Sequence, residues 1–242
     1  ITKVIAGVAK KSRVISEPER KLTAYHEAGH AVCAHVLDHV SPVHQVTIVP
    51  RGRAGGFTMQ LPVEDKFYAT KNEMKENLIV LLGGRVAEEL TLDDISTGAS
   101  NDLERVASTA RQMVTKYGMS NKLGPMAFGD SEEEVFLGNS IGNKRNYSEE
   151  VASEIDQEIR SIVDTAYKKT RTLLNDNMDR LEYVAQALLI YETLDAEQFI
   201  KAFNKELDLT PKQETAATET EEVIEVKESK TEDTIDDNKD NE

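Results

Sequence analysis

Ser16-Glu17-Pro18-Glu19-Arg20-Lys21-Leu22-Thr23-Ala24-Tyr25-His26-Glu27-Ala28-Gly29-His30-Ala31-Val32-Cys33-Ala34-His35-Val36-Leu37 reads as one long helix. Ser16 with Glu19 three residues on has the spacing of a capping box, and Pro18 falls in the first turn, where its missing N–H is harmless. The helix is predicted from about Pro18 to Leu37. Inside it, His26-Glu27-Ala28-Gly29-His30 matches H-E-x-x-H. Histidines four apart project from one helix face roughly 6 Å from each other, so both imidazoles can reach one ion at about 2.0 to 2.1 Å. Glu27 lies roughly 100° around the helix from His26, placed to hydrogen-bond a water beside the ion rather than to serve as an equal third ligand. Zinc lowers the pKa of such a water to about 7, and a carboxylate can take its proton during attack on a carbonyl. That is the chemistry of amide hydrolysis. Gly29 costs about 1 kcal/mol of helix propensity relative to alanine, so its place between the histidines predicts close packing or ligand access.

The remaining candidates for the site separate by helical geometry. His35 and His39 fall roughly 180° and 220° around from His26, and His44 follows Pro42 beyond the helix, which makes all three surface or structural residues. Cys33 shares the ligand face but lies about 10 Å along the axis from His26, so it reads as a reduced core residue. A catalytic zinc takes three protein ligands and keeps one open position. The third is an acid from elsewhere: Glu88 or Glu89 at the end of a second helix, or Asp102 at the start of a third. A first-turn aspartate also suits the helix dipole, and spacing alone leaves the choice open.

Outward from this stretch, helical periodicity predicts further helices at about 71–90, from Ser100 as an N-cap through Leu103, Val106, Ala107, Ala110, Val114 and Tyr117 to a stop at Gly118, at 148–174, at 178–191 and at 195–204. Strands are predicted at Val43–Val49 and Phe57–Leu61, flanking a glycine-rich hairpin, with a weaker pair at Met126–Phe128 and Val135–Leu137. The fold class is therefore mainly α, with a small β-hairpin or sheet. An exposed edge of the 43–49 strand is a place where an extended peptide could add, the alternative being a hairpin that only covers the helices.

Four segments, Tyr25-His26-Glu27-Ala28-Gly29-His30-Ala31, Val46-Thr47-Ile48-Val49-Pro50-Arg51-Gly52-Arg53, Gly83-Gly84-Arg85-Val86-Ala87-Glu88-Glu89 and Ser96-Thr97-Gly98-Ala99-Ser100-Asn101-Asp102-Leu103, together resemble the peptidase domain of the FtsH family over about Lys3 to Asn204. That family comprises membrane-anchored, hexameric, ATP-dependent zinc proteases. The resemblance implies one Zn²⁺ per subunit held by His26, His30 and Asp102, Glu27 as the catalytic carboxylate, and Glu88 supporting a ligand from behind. It also implies unfolded, damaged or membrane proteins as substrates, a homo-hexamer, and a bacterial cell membrane location with the peptidase domain facing the cytoplasm. The sequence contains no G-x-x-x-x-G-K-[ST] run, so ATP would act only through an absent ATPase module and the membrane through an absent N-terminal anchor, the piece itself being soluble. The expected organisation is the end of an ATPase module and junction at 1–17, a zinc peptidase domain at 18–209 and a disordered acidic tail at 210–242.

Composition sets the outer limits. Across 242 residues the chain is 39% hydrophobic and 30% charged with a formal net charge of −15, which suits a globular protein and excludes collagenous or wholly disordered classes. Twelve acids and only four lysines follow residue 210, a composition too polar to bury a core. Neither portion has the concentrated Lys/Arg that binds phosphate backbones, so nucleic acid is excluded as a partner. A single cysteine rules out an internal disulfide. The competing class is a non-catalytic oligomerisation module with a structural metal. A structural zinc normally has four protein ligands, and it has no use for Glu27.

Overall fold

The computed structural model describes residues 15–51, 54–64, 66–129 and 147–210. The expected junction through residue 14 and the acidic tail beyond 210 lie outside the described residues, as does the 135–137 strand.

Helix α1 (Glu17–Val36) starts as its sequence dictates, with the Ser16 hydroxyl accepting from the Glu19 N–H and Pro18 in the first turn. Every residue from Ala24 to Ala34 is buried, so α1 is the central element. Helix α2 (Lys71–Leu92) carries a complete capping box between Thr70 and Glu73, and stops where Asp93 turns left-handed. It packs closely along α1. A Cβ added at Gly29 would sit 2.4 Å from the Gly83 carbonyl oxygen, and one at Gly83 would sit 2.7 Å from the Gly29 carbonyl oxygen. The two helices touch backbone to backbone there, which is the close packing predicted for Gly29.

A 3₁₀ turn (Thr97–Ala99) leads into α3 (Ser100–Thr115). Ser100 is the first helical residue rather than the N-cap: the capping serine is Ser96, whose hydroxyl accepts from Gly98 N–H and opens the 3₁₀ turn. Burial on α3 falls on Val106, Ala110, Met113 and Val114, while Leu103, Ala107 and Tyr117 of the expected stripe are exposed. Helix α4 (Glu149–Asp176) is capped by Ser148 and buries Ile155, Ala166, Thr170 and Leu174. Helix α5 (Met178–Tyr191) packs on α1, and α6 (Ala196–Phe203) begins with a capping box between Asp195 and Gln198.

The sheet has three antiparallel strands in the order β2-β1-β3, with β1 at Val43–Thr47, β2 at Phe57–Gln60 and β3 at Thr193–Asp195. The expected hairpin is present, with Val46 opposite Thr58. The third strand lies outside the sequence expectation, because three residues between two helices leave no periodic signal; its Leu194 is fully buried. β3 changes the reading of the sheet edge. β1 is paired on both sides and offers no edge to a peptide; among the described residues the outer edge of β2 is unpaired, and Phe57, Thr58, Met59 and Gln60 border the cleft. Met126–Phe128 is not a strand either: after Gly118 turns left-handed at φ 57°, the chain folds back on α3 and Phe128 N–H donates to the Thr115 carbonyl at 2.7 Å. The architecture is mainly helical with a small sheet, as the sequence indicates.

Candidate metal centre

One turn of α1 separates His26 from His30, and both side chains are buried. Their rings meet edge to face, with Nε2 atoms 3.0 Å apart. Asp102, brought in on the first turn of α3 by the 3₁₀ turn before it, places Oδ2 3.4 Å from each of those nitrogens.

The far sides of the rings determine what the near sides can do. His30 Nδ1 lies 2.7 Å from the Val80 carbonyl oxygen, which can only accept, so Nδ1 carries the proton and Nε2 of the neutral ring presents a lone pair. His26 Nδ1 lies 2.6 Å from Glu88 Oε1, and the carboxylate imposes the same tautomer. With a metal bound, two lone pairs and a carboxylate oxygen face one point; with none, a proton on His26 supplies the positive charge that the same acids favour. The titration behaviour expresses that preference. Burial opposes a charged His26, yet the bonds to Asp102 and Glu88 and the nearby Glu27 outweigh it and hold its pKa up at about 10. Burial would raise Asp102, but both imidazoles hold it well below the usual carboxylate range. Two imidazole nitrogens and one carboxylate oxygen, all oriented, fit zinc, and three protein ligands is the number at sites that keep a coordination position for chemistry.

The supporting groups come from α2. Glu88 is fully buried; its second oxygen accepts from Ser96 N–H at 2.7 Å, tying the loop that carries Asp102 to the back of His26. Burial would raise the Glu88 pKa, but His26 and the Ser96 amide bring it below normal. Glu89, left open beside it in the sequence, faces α4, where Tyr167 and Arg171 hold it. Gly84 matters in another way: a Cβ there would meet His26 Cε1 at 2.5 Å and His30 Nε2 at 2.6 Å. The helical Gly83-Gly84 pair is the sequence signal for both contacts. The Val80 carbonyl and the Ser96 amide are backbone groups, invisible to residue-type reasoning.

Glu27 is buried beside the cluster, and burial raises its pKa although the imidazoles and Thr58 pull the other way. Its Oε2 accepts from the Thr58 hydroxyl at 2.8 Å. Thr58 carries no motif and was not singled out from the sequence. The cleft in front has a volume of about 980 Å³, bordered by Thr58 and Met59 of β2, Val80 of α2, and Asp102 and Arg105 of α3. His35 packs instead against Phe199 and Phe203, His39 bonds Glu76, and His44 is exposed. Cys33 is wholly buried, and burial pushes its thiol pKa up. None of these four joins the cluster.

Residues 13–202 match the family model of peptidase family M41. An ATP-dependent zinc metalloprotease FtsH 2 from Alkaliphilus metalliredigens is 69% identical over 207 residues, covering 86% of this chain and 30% of that protein. FtsH 1 from Thermoanaerobacter is 60% identical over 206 residues, covering 85% and 34%, and FtsH from Bacillus subtilis is 54% identical over 197 residues, covering 81% and 31%. The chain thus spans about a third of the length of the relatives it matches. With a family match running through all four segments that carry the site, the chain belongs to peptidase family M41, that of the FtsH-type zinc metalloproteases.

Proposed function

We propose that this chain is a zinc endopeptidase domain in which His26, His30 and Asp102 hold the metal and Glu27 moves the proton. The observation that carries the reading is the convergence of two tautomer-fixed Nε2 atoms and Asp102 Oδ2 on one point, with a buried carboxylate beside them. A zinc ion held there supplies the Lewis acidity that makes water a nucleophile at neutral pH. Glu27 would accept a proton from the attacking water and return it to the leaving amine, a task suited to a carboxylate whose pKa is raised by burial. Glu88 and the Val80 carbonyl keep the imidazoles in the ligating tautomer. The free edge of β2 aligns an extended peptide along the cleft by backbone hydrogen bonds, which are indifferent to side chain and suit an enzyme of loose sequence preference.

Membrane attachment, a homo-hexameric ring, and quality-control degradation of unfolded, damaged or membrane proteins are further parts of the proposal. They rest on the resemblance to the FtsH family; the names of the relatives specify only ATP dependence and zinc proteolysis. ATP dependence is assigned to the portion of those proteins that this chain does not match. Among the described residues no helix is long and apolar enough to cross a membrane. The non-catalytic alternative predicts a fourth protein ligand, whereas the cluster among the described residues has three. The test is zinc analysis paired with cleavage of an unstructured protein. One zinc per chain with chelator-sensitive cleavage supports the reading; bound zinc without cleavage supports the oligomerisation module.

A further inference from the structure

Glu27 stands on α1, but the group that holds its carboxylate comes from a different element. The Thr58 hydroxyl lies 2.8 Å from Glu27 Oε2 and 3.1 Å from the Glu27 carbonyl oxygen. A threonine hydroxyl has one proton, and the shorter, charge-assisted contact to the carboxylate takes it. Among the described residues Oε1 has no hydrogen-bond partner, so the pair differentiates the two oxygens: one is held, the other is available. Thr58 is itself fixed, since β2 pairs with β1 at Val46↔Thr58 and Thr47↔Phe57. The approach to the helix is also tight at Gly56, just before β2, where a Cβ would lie 2.9 Å from Thr23 Cγ2 and 3.0 Å from Glu27 Cγ.

We infer that Thr58 is a positioning residue for the reaction, fixing the Glu27 carboxylate against the edge strand so that Oε1 is the oxygen that handles the proton. This rests on the reading of Glu27 as the base and adds to it. β2 is the strand whose free edge would carry the peptide. A hydroxyl on that strand therefore sets the base in register with the substrate backbone, whereas a carboxylate held only by its own helix would take its register from α1. Reacting groups lose rate steeply when misplaced by even an ångström, so a single hydrogen bond of this kind matters to turnover and not to binding.

The test compares Thr58→Val, which keeps shape and strand preference but removes the hydroxyl, with Thr58→Ser, which keeps the hydroxyl. Turnover of a fluorogenic peptide is measured together with zinc content and thermal unfolding, and Glu27→Gln is run alongside. Thr58→Val is expected to lower kcat about tenfold, the scale of a lost hydrogen bond to a charged group, with KM and zinc content unchanged. Thr58→Ser is expected to restore kcat to within about threefold of the parent. A kcat in Thr58→Val within about twofold of the parent, an equal loss in both variants, or a loss confined to KM overturns the inference. Parental turnover by Glu27→Gln would instead sink the reading of the base, so the two failures are distinguishable.

Discussion

At the scale of single residues, His26 shows why the site needs more than its motif. Its Nδ1 is tied to Glu88 and its Nε2 faces Asp102, so two acids act on one ring in different ways. Asp102→Ala removes a ligand oxygen and is expected to leave the purified chain largely free of zinc. Glu88→Ala removes only the partner behind the ring, and zinc affinity should fall by about 10- to 100-fold. Atomic absorption on both variants at limiting zinc checks this; full zinc in Asp102→Ala with none in Glu88→Ala would reverse the two roles. Glu27→Gln preserves shape and cannot take a proton, so turnover should drop by about 10²- to 10⁴-fold with zinc retained. Cleavage assays run beside metal analysis would expose an error if that variant stayed active.

At the scale of elements, the contact between α1 and α2 governs the geometry of the ligands. Gly84→Ala would drive a methyl group into both imidazoles, and the expected outcome is loss of zinc even where the helices persist by circular dichroism. Gly29→Ala would push the helices apart at the Gly83 carbonyl; overpacking costs typically about 1–3 kcal/mol, and a lower unfolding midpoint in urea measures it. Unchanged stability would mean that the helices slide freely at this point. The same elements show what could be read beforehand. The helices α1, α2, α4 and α5 and the hairpin were legible, because a cap such as Ser16 and long apolar periods are local signals, whereas the Thr70 cap of α2 emerged only in the structure. The pairing of β3 with β1 was not, since it joins residues about 150 positions apart. Ser96 took the capping role expected of Ser100 because a 3₁₀ turn intervenes, and nothing in residue type distinguishes the two serines. His26, Glu27 and His30 were visible as a motif, while Asp102 could be chosen over Glu88 and Glu89 only through resemblance. The Thr58 hydroxyl and the Val80 carbonyl depend on which strand and helix flank α1, information that no local window holds.

At the scale of the whole molecule, the proposed reading lays a peptide extended along β2 to reach Glu27, and a folded protein hides its backbone in its own hydrogen bonds. The chain should therefore cleave an intrinsically unfolded protein slowly, leave a tightly folded domain intact, lose all activity to a chelator, and respond to ATP not at all. A time course on both substrates with and without ATP checks this; rapid ATP-stimulated loss of the folded substrate would contradict it. The sheet order has a consequence for synthesis. Thr193–Asp195 closes the sheet onto Val43–Thr47, so β1 acquires its second neighbour only after nearly the whole domain has been made. The ligands His26, His30 and Asp102 leave the ribosome much earlier than that strand. During translation the proposed metal ligands are thus complete while β1 still lacks its second neighbour.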